Sequence, residues 1–273
     1  MNSRRFGEDT VTKQSSIQRE SLTRQAVRAI RGAIFAGDYT PGQRLMEEDV
    51  AERFGVSRNV VREAFYQLEA EGLLWSEYYR GKSVTSLSKE DMAELIPLRL
   101  LMESLAATWA ARNITPESAA ELRNQAAKFS QILKTFSDYA GVDYELHQMI
   151  WRLAGNQYME ILLNRLAGPM IGLQSHVYTP HLDEIIKKEL EFRDGSHGRI
   201  VEAICAGSPT EARMAMQKHI LSFWQLWLTS SSTLEEEGVR KNRLVVSDAV
   251  GLIDMLTSVL DTPKAVGTVK VAE

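Results

Sequence analysis

The sequence predicts a mainly α chain in two parts: a small three-helix unit closed by a β-hairpin, then an all-α antiparallel bundle. Three observations predict it. Apolar residues recur at spacings of three and four from Leu22 to Leu68, interrupted only by glycine-bearing turns. Two short runs, Leu73–Ser76 and Ser83–Thr85, flank a glycine-containing turn, which is the pattern of a hairpin. From Ser88 to about Leu228 no stretch alternates as a strand does, so helices packed on helices are the economical architecture.

Residues 1–21 are polar, mixed in charge and without periodicity, and are expected to form an arm. Leu22, Ala26, Ala29, Ile30, Ala33 and Ile34 predict a first helix that stops at Gly37. Asp38-Tyr39-Thr40-Pro41-Gly42 is a turn, since proline fixes φ and glycine permits φ > 0. Glu47 to Phe54 is a short second helix with Val50, Ala51 and Phe54 on its inner face. Ser57 is placed to cap the next helix by accepting from one of its free N–H groups. Arg58, Asn59 and Arg62 lie at or just after that N-terminus, while Val61, Ala64, Phe65 and Leu68 seat the helix on a core. Helix dipole, free N–H groups and two guanidinium groups then all favour phosphate or a guanine edge. Such a helix is the second of a helix-turn-helix. The following hairpin, with Arg80, Gly81 and Lys82 at its tip, is expected to be a wing that adds backbone or minor-groove contacts.

The second part opens at Ser88-Lys89-Glu90-Asp91, which resembles a capping box. Six helices are expected. The first runs to about Arg112, with Pro97 either kinking it or moving its start. The second runs from Thr115-Pro116 to about Phe136, and the third from Asp138 to Leu153. The fourth runs from Asn156, better read as a helix cap than as a ligand contact, to about Leu173, with a break near Gly168-Pro169. The fifth covers residues 180–206 and the sixth starts at Ser208-Pro209. Four regions are expected: the arm (1–21), a DNA-binding unit (22–88), a helical domain (89–229) and an extension (230–273) made of a linker and one further helix.

Composition narrows the function classes. The 273 residues are 44% hydrophobic and 25% charged, enough to bury real cores. No apolar run approaches the roughly 20 residues of a membrane span, and the N-terminus lacks the apolar stretch of a signal peptide. The one cysteine, Cys205, excludes an internal disulfide and fits a reducing cytoplasm, the expected location. Net charge is −4, and residues 1–88 hold 13 Lys+Arg against 12 Asp+Glu. DNA affinity must therefore come from a few well-placed cations, duplicated in a dimer.

Asp143 and His147 are four apart on one helix and leave the same face. His197 and His219 lie about equally far before and after the turn at Gly207-Ser208-Pro209, so an antiparallel hairpin sets them at similar height. Three helices can thus direct one carboxylate and three imidazoles into the bundle. That donor set suits a borderline divalent ion, Zn²⁺, Ni²⁺ or Mn²⁺. Asp-x-x-x-His is also a common surface pair, and His176 and His181 show that histidine is not confined to this set.

The N-terminal pattern resembles the GntR family of bacterial transcription regulators. The resemblance rests on AIFAGDYTPGQRL, EEDVAERFGVSRNVVREAFYQLEAEGLL and RGKSV. The second part resembles the FCD effector domain of the FadR subfamily through LRLLMESLAA, DYELHQMIWRLAGN and SHGRIVEAICAGSPTEARMAMQKHI. The resemblance implies operator contacts at Ser57, Arg58, Asn59, Arg62, Gly81 and Lys82. It also implies metal ligands at Asp143, His147, His197 and His219, and a homodimer on a palindromic operator that a small carboxylate releases. Asn59-Val60 stands where many relatives have Thr-Pro, and Glu48 where some place a DNA-contacting arginine. Arg99 either clamps the effector carboxylate or pairs with Glu103 four residues on. Two alternatives to this expectation are a metal-free effector pocket and a metal-dependent enzyme with an appended helix-turn-helix.

Overall fold

The computed structural model describes residues 21–77, 81–132, 136–178 and 196–230. The first unit comprises α1 (Leu22–Phe35), β1 (Arg44–Leu45), α2 (Glu47–Phe54), α3 (Arg58–Ala70), β2 (Leu74–Glu77) and β3 (Gly81–Val84). Ser57 caps α3 as expected, its side chain accepting from Val60 N. Gly55 ends α2 at φ 64°, a left-handed conformation that costs glycine nothing. The hairpin gains a third strand that the sequence did not suggest. β1 pairs antiparallel with β3, Arg44 opposite Ser83, giving the order β1-β3-β2. Ile30, Phe35, Val61, Phe65 and Leu68 are fully buried between the helices and the sheet. Each such side chain contributes about 1.5–3 kcal/mol.

The bundle comprises α4 (Lys89–Asn113), α5 (Pro116–Ile132), α6 (Phe136–Leu153), α7 (Gln157–Tyr178), α8 (Ser196–Cys205) and α9 (Pro209–Ser230). The Ser88–Asp91 capping box forms in both directions, so α4 starts well ahead of Pro97, which does not move its start. Asn156 caps α7, its side-chain oxygen accepting from Tyr158 N and Met159 N at 3.1 Å. The expected fifth helix is seen over Ser196–Cys205, and the rest of that expectation, with the arm, Arg80, His181 and the extension, lies outside the described residues.

The expected break at Gly168-Pro169 is absent: α7 runs unbroken from Gln157 to Tyr178. The two residues form a notch instead. A Cβ at Gly168 would lie 2.8 Å from Glu71 O, so the end of α3 can approach α7 only over a glycine. Proline has no N–H for the carbonyl four residues earlier, Arg165 O, and Gly72 sits against that oxygen, where an added Cβ would come within 2.5 Å. Beside this notch Arg31 of α1 makes a forked ion pair with Glu71 and lies over the Tyr144 ring of α6, 5.3 Å from its centroid. Phe35 meets the same ring edge-on at 5.7 Å, and the buried Tyr144 hydroxyl donates to Asn164 Oδ1 of α7. The three-helix unit is therefore seated on α6 and α7 through close-packed backbone.

Candidate metal centre and nucleic-acid interface

The antiparallel α8–α9 hairpin brings His197 and His219 together, and α6 presents Asp143 and His147 to them. One donor atom from each of the four lies within 4.8 Å of the others, and all four residues are buried. His147 Nε2 and His219 Nε2 are 3.2 Å apart. Asp143 Oδ1 lies 2.8 Å from His197 Nε2 and 3.8 Å from His147 Nε2, with no donor aligned on it in hydrogen-bonding geometry.

The surroundings fix which ring nitrogens face inward. Glu103 of α4, fully buried, binds His147 Nδ1 and accepts from Trp151 Nε1 at 3.2 Å. A carboxylate only accepts, so Nδ1 donates a proton to it and Nε2 is the nitrogen that faces the cluster. Ser196 Oγ occupies His219 Nδ1 at 3.1 Å, which likewise leaves Nε2 inward. Phe129 of α5 stacks on His197 at 4.6 Å with the rings nearly parallel. Burial alone would push the Glu103 carboxyl up, but the His147 ring and the Arg99 guanidinium outweigh it and hold the group at about 2. Asp143 is likewise held below the usual carboxylate range, its burial outweighed by His147, His197 and Arg99. Burial, followed by the neighbouring His197, His147 and Arg99, pushes His219 well below an ordinary imidazole, so its ring is neutral at pH 7. An ionised carboxylate and a neutral imidazole, the states of Asp143 and His219, are the ones that bind metal, and the donor set fits a borderline divalent ion.

Arg99 is 4% exposed and its Nε donates to Glu103 Oε1 at 2.5 Å. The intrahelical ion pair, one of its two expected roles, is present. The sequence named Glu103 only as a partner for Arg99 and did not disclose its contact with His147, nor Ser196 beside His219.

On the opposite unit, Arg58 and Arg62 emerge from the first turns of α3, and each meets an acid from the first turn of α2. Glu47 holds Arg62 through a fork, Nε at 3.0 Å and one Nη at 2.7 Å. Glu48 lies 3.9 Å from an Nη of Arg58, with both side chains well exposed. Gly81 begins β3 at φ 86°, with the exposed Arg44 side chain close by. Lys82 does not project from the wing as expected. It pairs with Glu69 of α3 and donates to Ser76 Oγ at 2.6 Å, bracing the wing against the helix. Arg44 and Glu47 are further charged neighbours of this face that sequence reasoning had not placed there, and Glu48 stands on it as its position in the sequence implied.

Two family models cover most of the described chain: bacterial regulatory proteins of the gntR family over residues 22–84, and the FCD domain over residues 94–222. The chain belongs to the gntR family of bacterial regulatory proteins, with an FCD domain following the winged helix-turn-helix. A similar curated protein is the probable D-xylose utilization operon transcriptional repressor of Paenarthrobacter nicotinovorans. It is 27% identical over 186 residues, 67% of this chain and 78% of that one. The HTH-type transcriptional repressor RspR of Escherichia coli is 28% identical over 188 residues, 64% and 82% of the two chains. Among solved structures, E. coli McbR/YncC covers 77% of this chain and 99% of its own at a TM-score of 0.60 and 21% identity, a likeness of fold. These families and relatives are transcription regulators rather than enzymes. No helix among the described residues is long and apolar enough to cross a membrane.

Proposed function

We propose that the chain is a ligand-responsive repressor whose helical domain holds a divalent ion, Zn²⁺, Ni²⁺ or Mn²⁺, on Asp143, His147, His197 and His219. The convergence of those four buried donors within 4.8 Å carries the proposal. A bound ion supplies a cationic centre that attracts a small carboxylate, and Arg99 adds a second positive group close by. Ser57, Arg58, Asn59 and Arg62 enter the major groove while the wing, turning at Gly81 and braced on α3 by Lys82, approaches the backbone, in the cytoplasm where operator DNA is found. A ligand switches such a protein only by binding one domain arrangement better than another. The path for that preference is short: Tyr144, next to Asp143 on α6, touches Phe35 and Arg31 of the DNA-binding unit.

A homodimer supplies the second half-site contact of a palindromic operator. Tyr158, Ile161 and Leu162, 71%, 58% and 55% exposed at helical spacing on α7, offer an apolar stripe for a second copy.

The test is a duplex selected by the full untagged chain from a random library, followed by release from it with small carboxylates, with Zn²⁺ or with EDTA, alongside light scattering for mass. Release by a carboxylate only in the presence of metal, from a dimer, is the expected result. Release unaffected by EDTA would instead place the effector in a metal-free pocket, and turnover of the acid would make the protein an enzyme.

A further inference from the structure

Both arginines at the start of α3 stand beside glutamates of α2, but the two pairs differ. Glu47 is the more enclosed of the two acids, with 28% of its side chain exposed, and both of its oxygens are taken up by the Arg62 fork. It fixes Arg62 in place. Glu48 is 77% exposed and 3.9 Å from Arg58, too far for a hydrogen bond, so its oxygens remain open to solvent on the face where Arg58 emerges. Acids in a first turn also favour the helix N-terminus, but Glu47 and Asp49 serve that end as well and lie in the same turn.

A carboxylate on this face has few acceptable neighbours in a complex. Against phosphate it is repelled, and it reduces counterion release in a unit that carries almost no net positive charge. In the major groove it meets two kinds of donor, the N4 amino group of cytosine and the N6 amino group of adenine, and carboxylates pair with the former. Arg58 is a donor fork that matches the N7 and O6 acceptors of guanine. Placed side by side, the two groups match a groove edge that offers acceptors and a donor together.

We propose that Glu48 determines sequence specificity: with Arg58 it forms a paired reader, Arg58 donating to guanine and Glu48 accepting from a cytosine amino group in the same stretch of groove. The inference rests on α3 being the major-groove helix.

Full-length wild type, Glu48→Ala and Glu48→Gln are each used to select duplexes from a random library, and binding is then compared with non-specific DNA. For Glu48→Ala the preference for cytosine at one position per half-site relaxes, and the specific-to-non-specific ratio falls about 5- to 150-fold. Non-specific binding tightens at the same time, because a negative charge leaves the interface. Glu48→Gln shifts the same position toward adenine, whose N6 and N7 match an amide. An unchanged motif in both variants, with every duplex bound more tightly by a common factor, makes Glu48 a bystander and overturns this inference alone. A wild-type chain that enriches no motif overturns it together with the operator-binding role.

Discussion

Glu103 is a fully buried carboxylate with three partners: Arg99 four residues on its own helix, and His147 and Trp151 on α6. It orients His147 and offsets the buried Arg99 charge, so its removal has two separate consequences. Glu103→Gln should weaken Zn²⁺ binding about 10- to 100-fold, because the amide orients the ring less firmly than the charge does. The same change should destabilise the fold by about 3–5 kcal/mol, since the buried Arg99–Glu103 ion pair is broken from one side. Calorimetric titration reads the first and urea unfolding the second; full Zn²⁺ affinity in this variant would contradict the orienting role. The four candidate ligands were legible in the sequence because Asp143 and His147 are one helical turn apart and His197 and His219 straddle one turn. Glu103 was not, because the partner that gives it this role is 44 residues away and only the tertiary packing of α4 on α6 brings them together. Its traces in the sequence are the spacing of four from Arg99 and an acid inside an apolar helical run, Leu100 to Ala107. Ser196 left no trace of this kind.

Elements with local causes were equally legible. Ser57 capping α3, the Ser88–Asp91 box opening α4 and the Asn156 cap of α7 are side chains bonding within three residues of themselves, which sequence spacing states directly. β1 was not legible, since two residues, Arg44 and Leu45, carry no period and owe their strand to β3. Gly168-Pro169 misled for a physical reason: the pair does weaken an isolated helix, but here its missing Cβ and missing N–H are what the end of α3 packs against. Gly168→Ala should therefore raise helix propensity in α7 and still cost about 1–3 kcal/mol, because the added methyl meets the Glu71 carbonyl. It should also loosen the seam between the two units, seen as faster amide hydrogen exchange at Gly72 and Leu73. A variant that is more stable, with unchanged exchange there, would show that the notch bears no load.

At the scale of the molecule, the near-neutral DNA-binding unit means that bulk charge cannot supply affinity. The structure adds that three of its cations are already engaged, Arg62 by Glu47, Lys82 by Glu69 and Arg31 by Glu71, so specificity depends on geometry held by ion pairs. The helical domain meets this unit through Tyr144, one residue from a candidate metal ligand, which places the candidate metal site and the DNA-binding unit within a single turn of α6. Everything specific to sensing in this account depends on the ion. The most direct test is elemental analysis of the full chain, purified without a histidine tag and supplied with Zn²⁺ or Ni²⁺, beside His197→Ala. The account predicts about one divalent ion per wild-type chain and much less in the variant, with DNA binding retained by both. Absence of stoichiometric metal in the wild type, or equal metal in the two proteins, would contradict it.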